Sequence, residues 1–92
     1  MTFGEALEAC KLGKKIQRAG WNGKGMWVEY RPSRIGYNED GSVASVEAPY
    51  LAMKAVPPPI PYLPYLSPTV LYFVPGWLAS QTDMLADDWA AL

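Results

Sequence analysis

The sequence predicts an α+β fold: a small antiparallel sheet with an N-terminal helix and a short C-terminal helix, assembled as a homo-oligomer. Three observations carry this. Thr2 and Glu5 form a Thr-x-x-Glu helix-start signal ahead of a helical apolar period. Short alternating runs rich in Trp, Val and Tyr follow, punctuated by Asn-Gly and Asp-Gly turn signals. After Ser80 the period becomes helical again. The 92 residues suffice for a single domain spanning 1–92. Half of them are hydrophobic and 13% aromatic, more than one small core requires, so part of this surface is expected against another copy of the chain.

Element by element, Phe3, Ala6, Leu7 and Cys10 share one helical face and Gly13 supplies a stop, giving a helix over 3–12. "KKIQRAGW" (14–21) is extended, Asn22-Gly23 is a turn, and "GMWVEYRP" (25–32) is a strand ended by Pro32. Residues 33–42 are expected to form a polar loop containing an Asp-Gly turn. Residues 43–56 supply one or two strands, with Pro49 interrupting the ladder. Seven of the nine prolines fall between residues 57 and 75, so about 57–68 is predicted to be an extended arm or insertion. "TVLYFV" (69–74) is a strand, and Ser80 with Asp83 starts a short helix over about 81–88, with Met84, Leu85 and Trp89 on one face.

Composition excludes several functions. The formal net charge is -1, which argues against a DNA, RNA or membrane-surface binder. No histidine is present and Cys10 is the lone cysteine, so metal centres and Ser-His-Asp or Cys-His catalysis lack their residues. Cys10 is expected to be a small core residue. The sequence opens with acidic residues where a signal peptide is basic, and no run of about 18 apolar residues occurs. The cytoplasm is the expected compartment. Asp83, Asp87 and Asp88 are the carboxylates that could serve hydrolysis, but a helix would point Asp87 and Asp88 to different sides, and helix surface charge is the simpler reading.

Two stretches suit a flat anionic ligand. "RAGWNGKGMW" places Arg18, Trp21, Asn22, Gly23 and Lys24 in one loop. Glycine amides can form an anion-binding nest, Lys24 or Arg18 adds charge, and Trp21 and Trp27 offer ring faces to a base or ribose. An aromatic hairpin turn packed into the core fits the spacing equally well. The second stretch is Trp77 with Ser80, Gln81, Thr82 and Asp83. Plain N-capping explains Ser80 and Asp83 but not the others. Asp83 would accept from a ribose hydroxyl or a base amine. Tyr62, Tyr65 and Tyr72 are candidate interface anchors, or pack against the proline arm.

Three stretches together, "MTFGEALEACKLGKKIQRAGWNGKGM", "PYLAMKA" and "WLASQTDMLADDW", resemble the second Thoeris anti-defence family of bacteriophages. The resemblance covers both ends and a central block, and departs from the family between residues 57 and 75, where relatives have a shorter turn. It implies a homotetrameric sponge, without cofactor, acting in the cytoplasm of the infected bacterium. Such proteins bind cyclic ADP-ribose isomers made by the host's TIR enzyme without cleaving them. Some members also bind CBASS cyclic dinucleotides or trinucleotides, in some cases at a separate site. The resemblance implies that Trp21, Asn22, Gly23, Trp77 and Ser80 to Asp83 lie near the ligand. The alternatives are a hydrolase of the same nucleotides through Asp83 and Asp87, and a protein-interaction module using the Pro/Tyr arm.

Overall fold

The computed structural model describes residues 1–21, 25–55 and 71–92. The Asn22-Gly23 turn, Lys24, and the proline arm with Tyr62 and Tyr65 lie outside the described residues. Helix α1 spans Phe3–Lys11. Its capping box is complete: the Glu5 N–H donates to Thr2 Oγ1 and the Thr2 N–H donates to Glu5 Oε1. Ala6 and Cys10, four positions apart, are the buried residues of its inner face.

Strands β1 (Ile16–Arg18), β2 (Trp27–Arg31), β5 (Tyr50–Ala55), β6 (Tyr72–Pro75) and β7 (Trp89–Ala91) form a five-stranded sheet of order β6-β5-β2-β1-β7, every pairing antiparallel. Among the described residues β6 is an edge strand of this sheet, a position that tolerates Pro75. The core lies where α1 meets the β7, β1 and β2 end of this sheet. Ala6, Cys10, Ile16, Val28 and Trp89 are buried there, with Phe3, Tyr30, Leu51, Met53 and Ala91 packed around them. Cys10 is fully enclosed, its Sγ 3.8 Å from the Val28 carbonyl, and burial pushes its thiol pKa up. It is a core residue, as its place in the helical pattern implies.

Three expectations need correction. The segment 33–42 is not all loop. Arg34–Tyr37 forms β3, paired antiparallel with β4 (Val43–Glu47) in a separate two-stranded ribbon. The ladder that pairs Arg31 with Tyr50 resumes at Arg34 with Glu47, and Pro32 and Pro49 sit at the break, where neither can donate. The Asp-Gly turn does close this ribbon: Asp40 Oδ1 accepts the Ser42 N–H at 2.9 Å and Gly41 has φ 87°. Second, helix α2 covers Gln81–Leu85 rather than 81–88. Ala86 turns extended at ψ 150°, and the chain runs into β7. Third, Trp89 is therefore not on a helical face with Met84 and Leu85. It is 3% exposed in the core, whereas Leu85 is 85% exposed. The Asp88 carbonyl accepts the Ala19 N–H, which extends the contact with the β1 side back to residue 88, and β7 pairs Trp89 with Arg18 and Ala91 with Ile16.

Candidate functional site

The site is built where β1 ends, α2 begins and β7 starts. Arg18 closes β1 opposite Trp89 of β7, so its side chain reaches the sequence-distant acidic residues of the α2–β7 segment. Arg18 Nη1 donates to Asp83 Oδ1 at 2.8 Å, and Arg18 Nε donates to Asp88 Oδ1 at 2.8 Å. A further contact runs from Nη2 to Asp88 Oδ2 at 3.5 Å. The rigid guanidinium fork suits this double engagement. The side chains of Arg18 and Asp83 are only 15% and 14% exposed, so these pairs are shielded from solvent more than ordinary surface ion pairs.

Asp83 is the hub. The same Oδ1 accepts the Trp21 indole N–H at 3.2 Å, and the Asp83 backbone carbonyl accepts the Trp89 indole N–H at 2.9 Å. Its N–H donates to Ser80 Oγ, and its Oδ2 accepts the Ser80 N–H, completing the α2 capping box. Burial pushes the Asp83 carboxyl pKa up, but the bonds from Arg18, Trp21 and Ser80 outweigh that and hold it below the ordinary value. The Arg18 bond does the same for Asp88, aided by the Gly20 N–H, while Asp88 and then Asp83 push the Arg18 guanidinium up.

Around this hub stand three mutually edge-to-face indoles. Ring centroids are 5.2 Å apart for Trp21 and Trp89, 6.2 Å for Trp21 and Trp77, and 6.2 Å for Trp77 and Trp89, with interplanar angles from 73° to 82°. Phe3 backs Trp89 at 5.3 Å. Trp89 is the buried floor; Trp21 and Trp77 are half-buried and pack against it. The Trp77 N–H donates to the Leu51 carbonyl at 2.9 Å, which fixes its backbone to the sheet.

The arrangement brings together Arg18, Trp21, Trp77, Ser80 and Asp83 of the sequence-based set. Gln81 and Thr82 lie in the first turn of α2 and are exposed. Asn22, Gly23 and Lys24 lie outside the described residues. Sequence reasoning missed Asp88, Gly20 and Trp89 as parts of this cluster. It treated Asp88 as helix surface charge, yet Asp88 lies between α2 and β7 and is bound to Arg18, 70 positions away. No local pattern signals a partner at that separation. Chemically, the cluster offers two half-buried indoles beside a partly shielded carboxylate. Among the described residues, one guanidinium is shared by two carboxylates, whose oxygens suit hydroxyl and amine donors. Among the described residues, no group of three or more His, Cys, Asp or Glu gathers as a metal site, and no helix is long and apolar enough to cross a membrane.

These features define a small α+β protein carrying an indole-and-carboxylate site at one end of its sheet. The chain matches the model of the Thoeris anti-defense 2-like domain over residues 1–92. It is also 33% identical over 89 residues to "Thoeris anti-defense 2" of Bacillus phage SP01, covering 97% of this chain and 91% of that protein. The chain belongs to the Thoeris anti-defense 2-like family, and its role is phage anti-defence.

Proposed function

We propose that the protein is a non-enzymatic sponge for cyclic nucleotide immune signals. Its ligands are cyclic ADP-ribose isomers, with CBASS cyclic dinucleotides or trinucleotides as a further class. The observation that supports this is the coincidence of Trp21, Trp77 and Asp83 in one site. A base stacks on the half-buried indoles, which is worth about 1–3 kcal/mol per base. Asp83 accepts from a ribose hydroxyl or an exocyclic amine. The diphosphate is held by backbone amides of the glycine loop, Gly23 among them, with Lys24, while Asn22, Gln81 and Thr82 bond the ribose and base edges. Arg18 is already engaged by both carboxylates, so its part is to align them.

The electrostatics disfavour one catalytic role for these carboxylates, that of general acid. A general acid needs a raised carboxyl pKa, whereas Asp83 and Asp88 are both held low and share one guanidinium. Inhibition then follows mass action: the protein must outnumber the signal and bind it more tightly than the host effector does. Copies assemble as a homotetramer in the cytoplasm of the infected bacterium, with sites at or near subunit boundaries.

The test uses the effector as reporter. Cyclic ADP-ribose isomer is mixed with excess protein, and the mixture is assayed on the TIR-dependent effector before and after heat denaturation. Silence before heating and full effector activity after it are expected. Silence that persists after heating means the signal was destroyed, and the sponge reading fails.

A further inference from the structure

Asp88 grips three consecutive residues at the point where β1 gives way to the glycine loop. Its Oδ1 accepts from Arg18 Nε at 2.8 Å, its backbone carbonyl accepts the Ala19 N–H at 3.2 Å, and its Oδ2 accepts the Gly20 N–H at 2.9 Å. The next residue is Trp21, whose own N–H donates to the Arg18 carbonyl at 3.3 Å. Gly20 is not among the glycines with positive φ, so backbone conformation does not explain it. Proximity does. A Cβ at position 20 would stand 3.1 Å from Asp88 Oδ2 and 3.4 Å from Arg18 Nη2. The carboxylate and the missing side chain form one device.

We infer that Asp88 is the positioning residue of the nucleotide site, and that Gly20 is glycine to admit its carboxylate. Together they fix the path of the backbone into Trp21 and so aim the indole before ligand arrives. The inference rests on the proposed nucleotide site. Only a carboxylate serves both donors; the amide introduced by Asp88→Asn would turn its NH2 toward either Arg18 or Gly20. Preorganisation of this kind raises affinity by removing the cost of orienting Trp21 on binding. Asp88 touches no ligand in this scheme and acts through Trp21.

The test compares wild type, Asp88→Ala, Gly20→Ala and the double variant. Each is titrated with a cyclic ADP-ribose isomer, melted without it, and followed by amide hydrogen exchange without it. Asp88→Ala is expected to weaken binding about tenfold or more, equivalent to about 1.4 kcal/mol. The variant still melts as one cooperative unit, and exchange accelerates at Gly20 and Trp21. Gly20→Ala is expected to weaken binding in the same direction. The double variant should lose much less than the product of the two effects, since without the carboxylate the added methyl meets only Arg18. Should Asp88→Ala fail to fold, Asp88→Asn carries the same comparison. Unchanged exchange at Gly20 and Trp21, or fully multiplicative effects in the double variant, would overturn the inference. Exchange and melting need no nucleotide. If wild type takes up none, the site reading fails and those two measurements alone decide whether Asp88 fixes the backbone at Gly20 and Trp21.

Discussion

Trp21 and Trp89 touch each other yet differ in what their loss should do. Trp89 is 3% exposed, packs on Phe3 and Trp21, and donates to the Asp83 carbonyl. Trp89→Ala is expected to cost about 3–5 kcal/mol of stability, measured by denaturant unfolding. Trp21 is half-buried, and its indole N–H donates to Asp83. Trp21→Ala is expected to abolish most nucleotide retention while the apo protein still melts cooperatively. An apo melting loss as large as that of Trp89→Ala would make Trp21 a core residue first. Trp21 was legible in the sequence because the glycines beside it single it out. The burial of Trp89 was not, because it depends on pairing with Arg18 across the sheet. Asp88 shows the same limit: its neighbours in the chain are acidic and alanine-rich, and only the fold brings Arg18 and Gly20 to it.

Helix α2 has five residues, too few to persist alone, so its caps and the Asp83 contacts must hold it. Ser80→Ala removes the hydroxyl that receives the Asp83 N–H and is expected to cost about 0.5–2 kcal/mol. Nucleotide affinity should fall with it, because Asp83 is then less firmly aimed. A titration showing lost stability but unaltered affinity would separate the cap from the site. The Arg18 ion pairs also have a pH signature. Asp83 and Asp88 have depressed pKa values in the folded protein, so the unfolded chain binds more protons in acid. Their contribution is present above the ordinary value of 3.8 and is lost as pH falls through the lower folded values. Glu5 and Asp40 shift in the same direction. Melting midpoints are expected to hold from neutrality to about pH 5 and to fall below about pH 4, with a shallower acid limb in Arg18→Met. An acid limb unaffected by Arg18→Met would remove the ion pairs as its cause. Helix α1 and the start of α2 were legible from their capping boxes, which are local. Strand β3 was not, because "RIGY" sits among turn-forming residues, and β7 was not, because three residues become a strand only against β1.

The buried apolar core of the described residues is small: Ala6, Cys10, Ile16, Val28, Ala52 and Trp89. Meanwhile Ile35, Tyr37, Val43 and Val46 of the β3–β4 ribbon are more than half exposed. A two-stranded ribbon is marginal without a surface to pack on, and this exposure agrees with the proposed homotetramer. Light scattering on dilute protein is expected to give four chains per particle; a monomeric mass with one nucleotide bound per chain would defeat the shared-boundary site. Above all, sequestration differs from catalysis in how consumption scales with time. Cyclic ADP-ribose isomer in about tenfold excess over protein chains should be incubated, the protein denatured, and the nucleotide quantified chromatographically over hours. Full recovery of unaltered nucleotide at every time point, with removal before denaturation that plateaus at no more than one per chain, is the expected result. Continuous loss of nucleotide beyond that plateau, with a cleaved product appearing, would contradict the sponge and make the protein an enzyme.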